Sequence, residues 1–296
     1  MFRNSRHAAL WMAWALPIAA FAGSDSIERK VAADANGEVT ISNVSGTIDV
    51  RGWDRNEVQV TGHLDEGVER VDVETSAGRT VVKVVLPRGN SHHGDADIEV
   101  SVPRNSSVKV SAVSADVSSR GVLGTQRLKS VSGEVTADIA GDESEVRSVS
   151  GDVTVRGNGK PVRLRVSSVS GSLDLTRVAG SLDLVTVSGD ASVQMGATSD
   201  VRGRTTSGTL EVRGKLTHDG RVDVEGVSGD IVLRLSAPGG LSTEIESFSG
   251  DINGCLAGNV ERVSKYGPGK RLNIRTASGA RVRAKTLSGD IDICDR

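Results

Sequence analysis

Aromatic side chains are almost missing from this chain: 296 residues carry 3 Trp, 1 Tyr and 3 Phe. Beyond residue 22 only Trp53, Phe248 and Tyr266 remain, too few rings for an ordinary globular core of this size. Cysteine is equally scarce, with Cys255 and Cys294 alone, which excludes a multi-disulfide scaffold. Charge of one sign is lacking too. Lys+Arg number 36 against 38 Asp+Glu, interspersed along the chain, so nucleic acid finds no concentrated basic face. No long apolar run follows the N-terminus, and G-x-S-x-G, P-loop and dinucleotide fingerprints are absent. What is abundant is Gly (35 residues), with Val, Ser, Asp and Arg, a composition suited to a thin core of stacked aliphatic layers.

Residues 1–22 read as an export signal. Arg3, Arg6 and His7 form a basic n-region, Ala8 to Ala22 an apolar stretch, and Ala20-Phe21-Ala22 an A-x-A site that places cleavage between Ala22 and Gly23. An uncleaved N-terminal anchor is the alternative. No transmembrane segment is expected after signal removal, and the expected location is the periplasm, or else the cell surface or medium.

The mature chain is a repeat. With the Gly of each S-G pair as position zero, the series is Gly46, Gly133, Gly151, Gly171, Gly189, Gly208, Gly229, Gly250 and Gly289, with Ala115 substituting once. From Ala115 to Gly250 the steps are 18, 18, 20, 18, 19, 21 and 21 residues. Apolar residues recur five and two before the Gly, as at Val146 and Val149, and two and four after it, as at Val153 and Val155. Steps of two are the strand period, so each unit holds two short strands. The step of three between Val146 and Val149 suggests a corner that turns both side chains inward. A variable segment, often containing Gly as at Gly121 and Gly157, then forms a turn that absorbs length differences.

Such a unit buries its apolar face only by stacking on others. The expected fold is therefore all-β, a parallel β-helix-like β-solenoid with rungs of about 18–21 residues and an N-terminal β-meander cap. The expected segments are 1–22 signal, 23–107 meander cap with one rung-like hairpin, 108–253 solenoid, and 254–296 C-terminal hairpin plus final rung. The meander strands are Glu57–Leu64, Val68–Thr75, Arg79–Leu86 and Asp97–Pro103, with Trp53 packing at their junction with the rungs. Near the C-terminus, Arg271–Thr276 and Ala280–Lys285 flank Ala277-Ser278-Gly279 like a hairpin. In that arrangement Gly250 and Gly289 occupy neighbouring rungs. Cys255 and Cys294, each five residues past its Gly, then lie about one strand spacing apart, within disulfide reach. Two independent thiols are the alternative.

Position one past the Gly is repeatedly acidic: Glu134, Asp152, Asp190, Asp230, Asp251 and Asp290, an outward row that could meet a partner. Such a row could in principle hold Ca²⁺ through oxygen ligands. The favoured reading is that these residues suit a turn by bonding nearby backbone, so no cofactor or metal is expected. The loop His92-His93-Gly94-Asp95-Ala96-Asp97 reads as solvated, and His63 and His218 are isolated. Arg163, Arg165, Arg202, Arg204 and Arg213 could line one face of a polysaccharide-active β-helix, but the chain has almost no aromatic platform for sugars.

The reiterated V-S-G-D-[VI]-x-[VL], as at Val149–Val155, Val227–Leu233 and Phe248–Ile252, resembles the bacterial "putative adhesin" family of β-strand-repeat proteins, domain of unknown function 4097. Ile98–Pro103 (I-E-V-S-V-P) and the terminal L-S-G-D-I-D-I share the likeness, which covers nearly all of the mature chain. The resemblance implies a β-solenoid of the cell envelope, in adhesion or envelope-stress signalling, and brings no catalytic residues. The expected function is thus non-enzymatic, contacting an envelope protein or glycan. The alternatives are a polysaccharide-active enzyme and a structural protein that oligomerises by end stacking through Asp290–Cys294.

Overall fold

A computed structural model of the protein describes residues 25–87, 94–256, 258–263 and 268–295. The export segment, with Ala22 and Gly23, and the pair His92-His93 lie outside the described residues. Within them every regular element is a strand, so the chain is all-β. First come β1 (Asp25–Ala32), β2 (Glu38–Trp53), β3 (Glu57–Leu64), β4 (Arg70–Ser76), β5 (Arg79–Val85) and β6 (Ala96–Pro103). The middle holds β7 (Ser107–Arg120), β8 (Gln126–Lys129), β9 (Val135–Ile139), β10 (Glu143–Arg147), β11 (Val153–Gly157), β12 (Pro161–Ser168), β13 (Leu173–Thr186), β14 (Ala191–Thr205), β15 (Leu210–Gly226) and β16 (Ile231–Ser236). The chain ends in β17 (Leu241–Ser247), β18 (Ile252–Gly254), β19 (Glu261–Arg262), β20 (Lys270–Ile274), β21 (Ala280–Thr286) and β22 (Ile291–Cys294).

Residues before each S-G corner pair in one parallel ladder, and residues after it pair in a second. In the first, Val110 lies beside Leu128, then Val146, Val166, Leu184, Gly203 and Val224. In the second, Val117 lies beside Val135, then Val153, Leu173, Ala191, Leu210 and Ile231. Each step advances one repeat, so equivalent side chains stack in columns. The columns five before and two and four after the corner fill one continuous apolar core, almost entirely Val, Leu, Ile and Ala. Each buried Val or Leu contributes about 1.5–3 kcal/mol, which lets a chain with few rings offset the ordering of many glycines.

The corner glycines are required by close approach. A Cβ on Gly151 would sit 2.0 Å from the carbonyl oxygen of Gly133 in the preceding repeat, and one on Gly189 would sit 2.0 Å from that of Gly171. Positive φ is a second reason at Gly46, Gly171 and Gly208 only, among the corner positions.

Both ends of the stack are built by intercalation. At the N-terminal end β2 lies between β7 on one side and β5 and β6 on the other, all parallel to it. So β5 and β6 do not run on as meander neighbours; together they make the outermost repeat, with a hairpin β4–β5 turning at Ala77 and Gly78. Antiparallel β3 and then β1 extend the β6 side. Trp53 lies half-buried where β2 leaves the ladder, its Nε1 donating to the carbonyl of Glu57 at 2.9 Å.

At the C-terminal end β21 inserts between β15 and β17, and β22 inserts between β16 and β18. The spatial order of corners is therefore Gly229, Gly289, Gly250. The expected β20–β21 hairpin is not formed, because β17 lies between them, antiparallel to β20 and parallel to β21. Nor is Asp290–Cys294 the terminal rung, since β22 is paired along both edges. Gly250 and Gly289 are neighbours, and Cys255 and Cys294 form a disulfide with their Cα atoms 4.9 Å apart. It closes a loop with a sequence separation of 39, worth about 4 kcal/mol on a chain-entropy basis.

Ion pairs also hold the inserted segment. Arg234 on β16 donates two hydrogen bonds, at 2.9 and 2.8 Å, to the carboxylate of Asp292 on β22, holding it below the usual carboxylate range. Lys285 on β21 does the same for Glu246 on β17, helped by Arg271. Carboxylates with depressed folded values stabilise the fold above the unfolded carboxylate pKa of about 4, and that stabilisation is lost as pH falls through the folded value.

Candidate interaction surface

Position by position, the corner presents four columns, and two of them differ from the sequence expectation. The residue three before the Gly is buried and usually polar: Ser130, Ser148, Ser168, Thr186, Thr205, Ser247 and Thr286. In three repeats its hydroxyl accepts the backbone N–H of the corner glycine, at 3.1 Å for Ser130–Gly133, 3.0 Å for Ser148–Gly151 and 3.2 Å for Thr186–Gly189. This internal hydrogen bond turns the chain. Sequence reasoning missed the column because a buried hydroxyl gives no apolar signal.

The residue two before the Gly was expected to point inward and does not. Because the hydroxyl column takes the inward place next to the bend, the following side chain is thrown outward. In spatial order the column reads Val44, Val113, Val131, Val149, Val169, Val187, Thr206, Val227, Leu287 and Phe248. Its apolar members are exposed by 38% to 56%. The column is regular because the bend itself is hydrogen-bonded. The N–H of each following serine donates to the carbonyl of the apolar residue in the preceding repeat, as in Ser150 to Val131 at 2.8 Å and Ser170 to Val149 at 2.7 Å. Nine steps of one strand spacing make an apolar edge about 43 Å long.

Next to it stands a serine in every repeat, such as Ser132, Ser150 and Ser188, and then the acidic column. Glu134, Asp152, Asp190, Asp230, Asp251 and Asp290 are all exposed and all on this edge, as their spacing implied. Four of the aspartates are tied along the stack by backbone bonds. Asp152 Oδ1 accepts the N–H of Ser172 at 2.7 Å, Asp190 that of Thr209 at 2.7 Å, Asp230 that of Asp290 at 2.9 Å, and Asp290 that of Asp251 at 2.7 Å. Lys270 pairs with Asp251. Among the described residues no group of three His, Cys, Asp or Glu is placed to hold a metal ion.

The five arginines considered for a glycan-active face are not brought together. Arg163, Arg165, Arg202 and Arg204 project from the first ladder, whereas Arg213 belongs to the second. Four of them are engaged locally: Arg165 with Glu143 at 3.1 Å, Arg202 with Asp200 at 2.7 Å, Arg204 with Glu225 at 3.6 Å, and Arg213 with Glu211. Indeed one outward row of the first ladder alternates in sign at every step: Arg127, Glu145, Arg165, Asp183, Arg202, Asp223, Arg283 and Glu244. Cross-strand neighbours of opposite charge stabilise a sheet modestly and keep its face wet. His218 contacts only Asp219, at 3.0 Å, and His63 lies 3.8 Å from Asp65.

The apolar edge is dented towards its C-terminal end. Gly226 stands where other repeats place the buried hydroxyl residue, and Thr206 interrupts the apolar column. An open groove of about 530 Å³ lies there, between Val187, Val227 and Leu287, with Arg204 and Lys285 on its rim.

With this geometry in hand, comparison with known proteins gives a family. The model of the Toastrack DUF4097 family matches residues 38–294. The chain belongs to the Toastrack family. Among solved structures, a "putative adhesin" from Parabacteroides merdae is similar over 90% of this chain and 96% of that one, at 10% identity and a TM-score of 0.51, a likeness of fold alone. A "putative cell adhesion protein" from Clostridium sporogenes matches over 92% and 99% at 11% identity and a TM-score of 0.23, and a "putative lipid binding protein" from Parabacteroides distasonis over 91% and 97% at 11% and 0.42. No curated protein matches. The Toastrack match spans both intercalated ends as well as the regular middle of the stack.

Proposed function

We propose that this Toastrack chain is an exported, non-enzymatic β-solenoid of the cell envelope that acts by adhesion, docking a protein partner along its corner edge. The observation that carries the reading is the exposed apolar column. Nothing in the core needs it, because the buried column beside it is hydroxyl and the inner columns are filled by other residues. Isolated exposed apolar residues are ordinary, whereas a contiguous apolar strip rimmed by polar side chains marks an interaction site. A protein partner fits better than a glycan, since the strip offers aliphatic area with serine hydroxyls beside it and one ring, Phe248, at its end. The non-enzymatic reading is supported by the acidic row, in which Asp152, Asp190, Asp230 and Asp290 accept backbone N–H bonds and Asp251 pairs with Lys270. Likeness to proteins described as adhesins supports the envelope location.

The reading is tested by placing a photo-crosslinking residue at Val149, on the edge, or at Arg156, on the second ladder's outer face, and irradiating the mature chain in envelope extract. Adducts of one defined protein at Val149 and none at Arg156 are expected. Equal labelling at the two positions, or labelling at Arg156 alone, contradicts it.

A further inference from the structure

On the outer face of the first ladder one pair of like charges stands apart, because neither member has a carboxylate partner among the described residues. Two residues N-terminal to the alternating row, the register runs from Glu143 to Arg163, Ser181 and Asp200, and then places Arg221 directly beside Arg281. Like charges at paired positions of adjacent strands repel, and where this ladder pairs them elsewhere, at Lys109 with Arg127 and Lys129 with Arg147, a member of each pair reaches Glu38 or Glu145. Asp200, the register neighbour of Arg221 on its other side, is engaged by Arg202 at 2.7 Å. Beyond Arg281 comes Ser242, and just past the end of antiparallel β20 stands Arg275. Among the described residues, no carboxylate lies within 4.0 Å of the guanidinium of Arg221, Arg275 or Arg281.

These three arginines line one open cavity of about 650 Å³, together with Ser242, Asn273 and the Arg283–Glu244 pair. Asp223 also reaches it, so four guanidinium groups face two carboxylates. β20, antiparallel along β17, brings Asn273 and Ile274 to the cavity, and Arg275 follows directly. Planar guanidinium forks one strand spacing apart, with an amide beside them, match the donor geometry that a tetrahedral oxyanion accepts.

We propose that Arg221, Arg281 and Arg275 form a binding site for a phosphate-type oxyanion, either free or carried on a lipid headgroup. The site is independent of the apolar edge and does not require the adhesion reading. An anion there relieves the repulsion between Arg221 and Arg281, and the Asn273 amide offers a further donor to its oxygens.

The test uses the mature full-length chain at constant ionic strength, titrated calorimetrically with inorganic phosphate, and separately sedimented with phosphatidylglycerol vesicles against phosphatidylcholine vesicles. Binding in at least one arm is expected, weakened tenfold or more in Arg281→Gln and in Arg221→Gln. The control Arg165→Gln, on the same face but paired with Glu143, should change it less than twofold. Response to free phosphate identifies a soluble oxyanion, and response to the anionic vesicles alone identifies a headgroup; either outcome supports the site when Arg281→Gln abolishes it. No binding in either arm, or binding equally weakened by Arg165→Gln, overturns it.

Discussion

The two long edges of the stack are built on opposite terms. On the V-S-G edge nearly every repeat carries the same sequence of a buried small residue, an outward apolar residue, a serine and a tightly approached glycine, although the glycine φ differs between repeats. On the other edge the connections differ from one repeat to the next. β11 and β12 are joined through Asn158-Gly159-Lys160, whereas β13, β14 and β15 run straight through, with bulges where register shifts. Core packing explains the constancy of the hydroxyl and the glycine, since both touch the interior or the neighbouring backbone. It does not explain the constancy of the apolar column, whose side chains lie outside the core. That difference is why the corner edge, and not the variable edge, carries the functional reading.

The comparison can be broken most severely by lengthening each edge. Inserting Gly-Gly between Ser150 and Gly151 removes the bend's hydrogen bond and drives one repeat out of register; soluble folded protein is expected to be lost. The same insertion after Asn158 lengthens an exposed turn and should cost under about 1 kcal/mol in urea unfolding, because loop closure grows slowly with length. Equal tolerance at both places would remove the distinction between the edges.

A sharper cut lies within the corner itself. Ser148→Ala leaves the buried N–H of Gly151 without its acceptor and should cost about 1–3 kcal/mol. Ser150→Ala, two residues on and exposed, should stay within about 0.5 kcal/mol. The comparison is read from equilibrium denaturation midpoints at matched slopes, and a larger loss at Ser150 would reverse the assignment of the two columns.

The repeat, the corner and the inward columns at five before and two and four after the glycine were legible in the sequence, because a stack fixes its register by apolar periodicity. The outward apolar column was not, since Val149 and Val153 are the same residue type in the same regular spacing, and the buried small residue just before Val149, Ser148, takes the inward place at the bend. The bridging of the acidic residues from one repeat to the next was also hidden, because a turn residue that bonds its own backbone and one that bonds its neighbour's share one spelling. At the ends, Gly250 and Gly289 carry near-identical neighbourhoods; their adjacency was expected from a β20–β21 hairpin that does not form, and their order was not legible. The order depends on β21 and β22 entering a slot between strands made earlier in the chain, a long-range choice that no local pattern encodes. The arginine cavity is of the same kind: Arg221 and Arg281 are neighbours only because of that insertion.

The most direct measurement compares two triple variants with identical chemistry in the same three repeats. Val113, Val131 and Val149 are exposed by 46%, 43% and 42%, whereas Val117, Val135 and Val153, four residues further on in each case, are exposed by 2%, 0% and 1%. Replacing the first three by Thr should lower unfolding stability by no more than about 1.5 kcal/mol in total, as for surface positions. Replacing the second three by Thr buries three hydroxyls in the apolar core and should cost at least about 3 kcal/mol. Comparable losses in the two triples would show that the corner valines belong to the core, and would contradict the account of this edge as a surface kept for a partner.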